Sequence, residues 1–335
     1  MVGIKDVAKA AGVSISTVSR VLSNGEYVSD DVKERVHAAV EALQYRPNRV
    51  AQSLRSQKSQ IIGLIVADIQ NPFFTAVSRY VQDAAYENGI SVFLCNTDEK
   101  ADKESQYIDL MHEENVAGII LAPTHQSHSS INRIINLHIP VVVIDRQVEN
   151  TSIDSVYIDN TAAAYKLTLH LLENGYRKIS AIIGSGSTTG KLRYQGIIQA
   201  LYENNIAADK FLLRFVNATL NEGYTSTLEL LDSDNRPDAL IATNGLLAAG
   251  AFRAFRERKI SIPDEMGFAC FDETIWTALM DPPITVISQP TQDLGRTAVE
   301  LLLNKINDPS NAAREVMLKS TLIPRESTKR NGQEK

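Results

Sequence analysis

The chain has 335 residues, enough for two or three domains, and its 44% apolar content is that of globular cores, not of a disordered or fibrous chain. No apolar run approaches the roughly 20 residues that span a bilayer, and Met1-Val2-Gly3-Ile4-Lys5-Asp6 lacks the charged-then-apolar layout of a signal peptide, so the cytoplasm is the expected compartment. A net charge of −6 speaks against a nucleic-acid partner until its distribution is read: residues 1–60 carry nine Lys/Arg and six Asp/Glu, net +3, while the rest carries 25 and 34, net −9.

Ile4, Val7, Ala8 and Ala11 recur at helical spacing and predict a first helix over 4–11. Gly12-Val13-Ser14 is a turn, and Ser14 is placed to cap a second helix over 15–22 whose Val18, Val21 and Leu22 face inward. Ser29-Asp30-Asp31, a capping serine followed by acids, starts a third helix over 30–43. Gln44-Tyr45-Arg46-Pro47-Asn48 breaks it. A short amphipathic stretch over 49–55 and a polar linker over 56–60 make the clearest boundary in the chain. From Ile61 the rhythm changes. Apolar runs at 61–67, 91–96, 118–122, 141–145, 178–183, 211–216, 239–242, 266–271, 285–289 and 316–322 alternate with amphipathic helical stretches, which predicts parallel α/β sheets with helices on both faces. About 260 residues is long for one such sheet, so two lobes are expected, the first crossing falling near Asp159-Asn160-Thr161. The polar tail is expected to be disordered.

The first two helices carry the most specific signal. Ala8 is small enough for two helices to cross closely, Gly12 permits the turn, and Val18 locks the second helix on the first. That is the packing logic of a helix-turn-helix. It leaves Ile15, Ser16 and Arg20 outward, where a recognition helix meets base edges. Arg20 suits guanine and Ile15 a thymine methyl, while Thr17, Ser19 and Asn24 are better placed for phosphates. A plain three-helix bundle would not require an exposed isoleucine at 15.

Taken together, Ile4-Lys5-Asp6-Val7-Ala8, Thr17-Val18-Ser19-Arg20-Val21-Leu22, Tyr45-Arg46-Pro47-Asn48, Asn71-Pro72-Phe73-Phe74, Asp145-Arg146, Phe271-Asp272 and Leu294-Gly295-Arg296 resemble the LacI/GalR repressor family over nearly the whole chain. The resemblance implies a helix-turn-helix head over 1–46, a hinge helix and linker over 47–60, and a two-lobed periplasmic-binding-protein-like body over 61–324. The first lobe would be about 61–159 plus 290–324, the second about 160–289, and the tail 325–335. It also implies that Asn48 through Arg55 fold as a hinge helix on DNA, with Leu54 as a wedge in the minor groove and Ala51 small enough for two hinge helices to touch. By matching position, the walls of an effector cleft would include Phe73, Phe74, Asp145, Thr189, Arg193, Asn244, Asp272 and Gln289. Carboxylates and amides there suit sugar hydroxyls, aromatics suit the apolar face of a sugar ring, and Arg193 suits a paired contact. The family usually has Asn-Asp where this chain has Asn244-Gly245. With one carboxylate fewer and Lys191 close by, an anionic effector such as a sugar acid is favoured. The implied protein is a homodimeric, ligand-responsive regulator, most often a repressor, that binds a palindromic operator and needs no cofactor.

Other signals fail. In Gly184-Ser185-Gly186-Ser187-Thr188-Thr189-Gly190-Lys191-Leu192 a phosphate loop would need glycine at 185 and Ser/Thr at 192. Cys95 and Cys270 are isolated in apolar runs, the expectation for buried reduced thiols, and the histidines lack metal-ligand spacing. A transporter's solute-binding protein would share the body but not residues 1–56, and an α/β sugar enzyme would need the phosphate loop that fails here.

Overall fold

In the computed structural model the described residues are 2–22, 28–45, 59–124, 128–148, 153–206 and 213–330. The chain divides into two compact units, Met1–Ser59 and Gln60–Lys335. Asn24, Asn48, Ala51, Leu54 and Arg55, and with them the expected hinge helix, lie outside the described residues.

The first unit contains α1 (Ile4–Ala11), α2 (Ile15–Leu22) and α3 (Asp30–Ala42). Val7, Ala8, Ala11, Val18, Val21, Val36 and Ala39 form its core. Gly12 closes α1 in the left-handed conformation, φ 65°, where a side chain would be strained. Ser14 Oγ accepts from the Thr17 N–H at 3.1 Å and so caps α2. Arg35 Nη1 donates to the Ala11 carbonyl at 3.2 Å, tying α3 to a carbonyl left over at the end of α1. Ser29 takes the backbone geometry of an N-cap but makes no side-chain capping bond, unlike the expectation.

The second unit holds two six-stranded sheets. The first takes β1 (Ile61–Val66), β2 (Ser91–Asn96), β3 (Ile119–Leu121), β4 (Val141–Ile144), β5 (Asp154–Ile158) and β11 (Glu315–Leu318), ordered β11-β5-β4-β3-β1-β2. The second takes β6 (Ile179–Gly184), β7 (Leu213–Val216), β8 (Ala239–Ala242), β9 (Gly267–Phe271), β10 (Thr285–Ser288) and β12 (Thr321–Ile323), ordered β12-β10-β9-β8-β6-β7. The two orders are the same pattern repeated, and every pairing is parallel except β10 with β12. Strands such as β4 and β6 are buried along their whole length, which is why they read as unbroken Val/Ile/Ala runs. Helices α4 (Pro72–Glu87), α5 (Ala101–Glu113), α6 (His128–Asn136) and α12 (Thr291–Asn307) belong to the first lobe. Helices α7 (Asn160–Glu173), α8 (Thr188–Glu203), α9 (Leu220–Leu231), α10 (Gly245–Glu257) and the short α11 (Ile275–Leu279) belong to the second. Among the described residues no helix is long and apolar enough to cross a membrane.

Three expectations need correction. The single strand expected over 316–322 is two strands in different sheets, so the first lobe does not extend to 324. Val316 packs on the first lobe's core, whereas Leu322 and Ile323 pack on the second lobe's, and β12 runs antiparallel to β10. Residues 154–158, unassigned in the sequence reading, form β5. The tail is not disordered up to 330. Ser327 and Thr328 are buried: Ser327 Oγ donates to the Phe268 carbonyl at 2.6 Å and accepts from the Thr285 N–H at 2.8 Å, and Thr328 Oγ1 pairs with Thr285 Oγ1 at 2.7 Å and His170 Nε2 at 2.8 Å. Polar composition suggested solvent, but these hydroxyls satisfy backbone groups at the amino ends of two inner strands, β9 and β10.

Ser327→Ala leaves that buried N–H and carbonyl unpaired, so it is expected to cost about 1–3 kcal/mol in denaturant unfolding; an unchanged midpoint would show that the tail does not brace the second lobe.

Candidate functional site

Residues on the outer side of α2 form the first candidate surface. Ile15 (37% exposed), Ser16 and Arg20 face solvent, Thr17 and Ser19 are half-buried, and Val18 and Val21 are core. Ser14 Oγ lies 2.7 Å from Ser16 Oγ and 2.9 Å from Thr17 Oγ1, so the start of the helix is a cluster of hydroxyls.

The second candidate is a cavity of about 500 Å³ between the two sheets. Its walls come from segments that follow strand carboxyl ends: Asp68 to Phe74 after β1, Asp98 and Glu99 after β2, Asp145 and Arg146 after β4, Gly184 to Arg193 after β6, Asn217 to Thr219 after β7, Thr243 and Asn244 after β8, Asp272 after β9 and Gln289 after β10. Helices α4, α8, α9 and α10 start at this edge, each capped by a wall side chain: Asn71 accepts from Phe73 N, Ser187 from Gly190 N, Thr219 from Glu222 N and Asn244 from Leu247 N. The glycine-rich segment is therefore a wall and a cap. At Gly190 an added Cβ would sit 2.0 Å from the Gly184 carbonyl, so this glycine lets α8 start tight against β6.

Of the expected wall residues, Phe73, Phe74, Asp145, Thr189, Arg193, Asn244, Asp272 and Gln289 come together around this cavity. Phe73 and Phe74, edge to face with centroids 5.0 Å apart, also belong to the first lobe's core. Lys191 does not line the cavity and is exposed. Thr189 and Arg193 are four residues apart on α8 and share a face, whereas Lys191 is two residues from each, about 200° round the helix. Asp68, Asp98, Glu99 and Arg146 line the cavity and were not singled out from sequence; each follows a strand's carboxyl end, a rule that would have found them if applied to every strand.

The charges are largely committed already. Arg193, buried, donates through Nε to Asn160 Oδ1 at 2.8 Å and through Nη1 to the Thr243 carbonyl, and its guanidinium stacks 4.0 Å from the Phe271 ring centroid. Arg146 bonds Glu99 and the Pro123 carbonyl, with its Nε 3.6 Å from Asp145 Oδ2, an ion pair beyond hydrogen-bond reach. Asp272 Oδ1 accepts from Gln289 Nε2 at 2.6 Å and Oδ2 from the Gly245 N–H at 3.1 Å. Of the cavity-lining side chains, two have a buried polar atom without a hydrogen-bond partner: Arg146 Nε and Gln289 Oε1, a donor and an acceptor. Asp145 and Asp272 hold matching places in the two lobes, directly after β4 and β9, both with positive φ (68° and 75°). Strain of this kind persists where the surroundings enforce a side-chain direction. Burial pushes the Asp145 carboxyl up to about 6 against the pull of Arg146 and Arg193, and burial lowers the Arg193 guanidinium. The anionic effector expected from Lys191 and the missing carboxylate at 245 loses its basis. Five carboxylates (Asp68, Asp98, Glu99, Asp145, Asp272) face two guanidiniums that are both engaged.

Comparison with known proteins places this geometry. Residues 3–48 match the family profile described as "Bacterial regulatory proteins, lacI family", and residues 59–331 match "Periplasmic binding proteins and sugar binding domain of LacI family". The chain belongs to the LacI family. It is a ligand-responsive, DNA-binding transcription regulator of that family. It is 35% identical to the HTH-type transcriptional regulator DegA of Bacillus subtilis over 97% of each chain, and 36% identical to the ribose operon repressor of Halalkalibacterium halodurans over 98% of each. Among solved structures it resembles the lac repressor dimer bound to operator and the anti-inducer ONPF, with TM-score 0.88 and 26% identity, covering 98% of this chain and 99% of that one.

Asp145 gives a signed pH dependence. A carboxyl raised by burial keeps its proton in the folded state between its ordinary value of 3.8 and about 6, so it makes stability fall as pH rises through that window. Asp145→Asn is expected to melt higher than the parent at pH 7 and to lose this advantage by pH 4, in melting curves taken across the range; a difference independent of pH would contradict the raised value.

Proposed function

We propose that this protein is a cytoplasmic, homodimeric repressor, not an enzyme, that releases or grips a palindromic operator in response to a neutral, hydroxyl-rich sugar. The observation that carries the reading is one chain joining a helix with Ile15, Ser16 and Arg20 turned outward to a cleft walled by carboxylates, amides and two phenylalanines. Two heads would read two half-sites, as in the dimeric solved relative on its operator. Arg20 would contact guanine and Ile15 a thymine methyl, with Thr17, Ser19 and Asn24 on phosphates. Residues 48–55, including Asn48, Ala51, Leu54 and Arg55, would pair as hinge helices and wedge Leu54 into the minor groove.

In the cleft, Asp145 and Asp272 would accept from ligand hydroxyls, Asn244 and Thr189 would both donate and accept, and Arg193 would donate while Phe73 and Phe74 cover an apolar face. The relative named a ribose operon repressor and the profile named for sugar binding support a carbohydrate ligand, and the surplus of carboxylates supports a neutral one. Any effect of ligand on operator affinity must be matched by an equal effect of operator on ligand affinity.

The full chain is expected to select a symmetric sequence from a pool of random duplexes. Arg20→Ala should cost about 1–3 kcal/mol of discrimination at one position of each half-site. Selection of the same sequence by a chain lacking residues 2–45 would overturn the reading. In calorimetric titrations neutral pentoses and hexoses are expected to bind and their acids and phosphates not to; tight binding of a sugar acid alone would reject the neutral ligand.

A further inference from the structure

Arg193 is a buried cation in the field of two buried carboxylates, Asp145 and Asp272, and it pairs with neither. Among the described residues no Arg193 nitrogen lies within 4.0 Å of a carboxylate oxygen. Opposite charges attract more strongly where water is excluded, so something holds the guanidinium back. Its supports are all neutral: Asn160 Oδ1 accepts from Nε at 2.8 Å, the Thr243 carbonyl accepts from Nη1, and the Phe271 ring lies under the guanidinium. Nη2 has no partner among the described residues and is not sealed from the cavity. The Asp145 carboxylate likewise accepts no hydrogen bond from a described residue and is not sealed off.

Of the three supports, only Asn160 uses a polar side chain. It is the first residue of α7, 2% exposed, and does not line the cavity. Its Nδ2 donates to the Ile158 carbonyl at 3.3 Å. A guanidinium only donates and a carbonyl only accepts, so the amide can face only one way, nitrogen to the end of β5 and oxygen to Arg193. An amide oxygen in this place takes one N–H without cancelling the charge.

Taking the cleft as the effector site proposed above, we infer that Asn160, from outside the cavity wall, is the positioning residue for Arg193. It holds the guanidinium off Asp145 and Asp272, so that Nη2 and the Asp145 carboxylate stay apart and each is open to a ligand hydroxyl. Without it the cation closes on Asp145 and the two occupy each other's ligand contacts.

The test uses Asn160→Ala and Asn160→Asp in the full-length chain, each with and without Asp145→Asn. Melting temperatures are taken at pH 7 without ligand, and parent and Asn160 variants are titrated calorimetrically with D-ribose, D-galactose and cellobiose. Asn160→Ala is expected to bind the parent's tightest sugar roughly tenfold or more weakly. In its background Asp145→Asn should lose the higher melting temperature it gives the parent, because Asp145 then has a cation at hydrogen-bond distance. Asn160→Asp should do the opposite and widen that gap by about 2 °C or more, because the new carboxylate draws on the charge that supports Asp145. A purely structural asparagine would lower both melting temperatures of a pair alike, so a gap unchanged from the parent's in either background overturns the inference. Unchanged sugar affinity in Asn160→Ala overturns it too. If Asn160→Ala does not fold, the gap in Asn160→Asp decides. If none of the three sugars binds the parent, the sugar reading of the cleft fails separately, and the melting gaps still decide the role of Asn160.

Discussion

Right-handed crossovers make every strand of a parallel sheet run the same way, so all strand carboxyl ends and the helix N-termini that follow them gather on one edge. This chain applies that constraint twice. Its two sheets share one strand order and turn these edges toward one cavity. The wall residues are far apart in sequence, from Asp68 to Gln289, yet nearly all occupy the same kind of position, the few residues after a strand. The cleft is thus a consequence of topology, and its chemistry is what the loop residues add.

Within that cleft, burial and charge work against each other. Asp145 and Arg193 are both nearly inaccessible, and each is destabilised in its charged form by burial and supported by the other. Arg193 also has a carbonyl, an amide oxygen and an aromatic face as partners, so its role is to hold the second lobe's loop to the crossing segment at Asn160 as much as to meet a ligand. What remains unsatisfied, a guanidinium nitrogen and an amide oxygen, is one donor and one acceptor. A ligand with hydroxyl groups can serve both, because each hydroxyl donates and accepts.

The head depends on a different and more local economy. Ala8, Gly12 and Val18 bring α1 and α2 together, and a helix of eight residues cannot bury three faces, so the side opposite its core stays outward with Ile15 and Arg20 on it. Arg35 closes the bundle by bonding the last turn of α1.

Local signals were enough for the head and for the alternation of strands and helices. Residue size at 8, 12 and 18, capping at Ser14 and the Val/Ile runs of β1, β4 and β6 act between neighbours a few residues apart, so they can be read from the chain itself. The eight wall residues expected from family resemblance also meet around the cavity. Long-range pairing settled the rest. Lys191 was misjudged because nearness in sequence ignores the rotation of a helix, and Asp68, Asp98 and Glu99 were passed over because acids after strands look like ordinary turn residues until a second lobe faces them. The stretch at 315–323 holds two short apolar runs either side of Lys319-Ser320-Thr321, and the partners available in each sheet assign one run to β11 and the other to β12. Ser327 and Thr328 are polar by composition and buried by partnership, since a hydroxyl goes inside when a carbonyl and an N–H there would otherwise be unpaired.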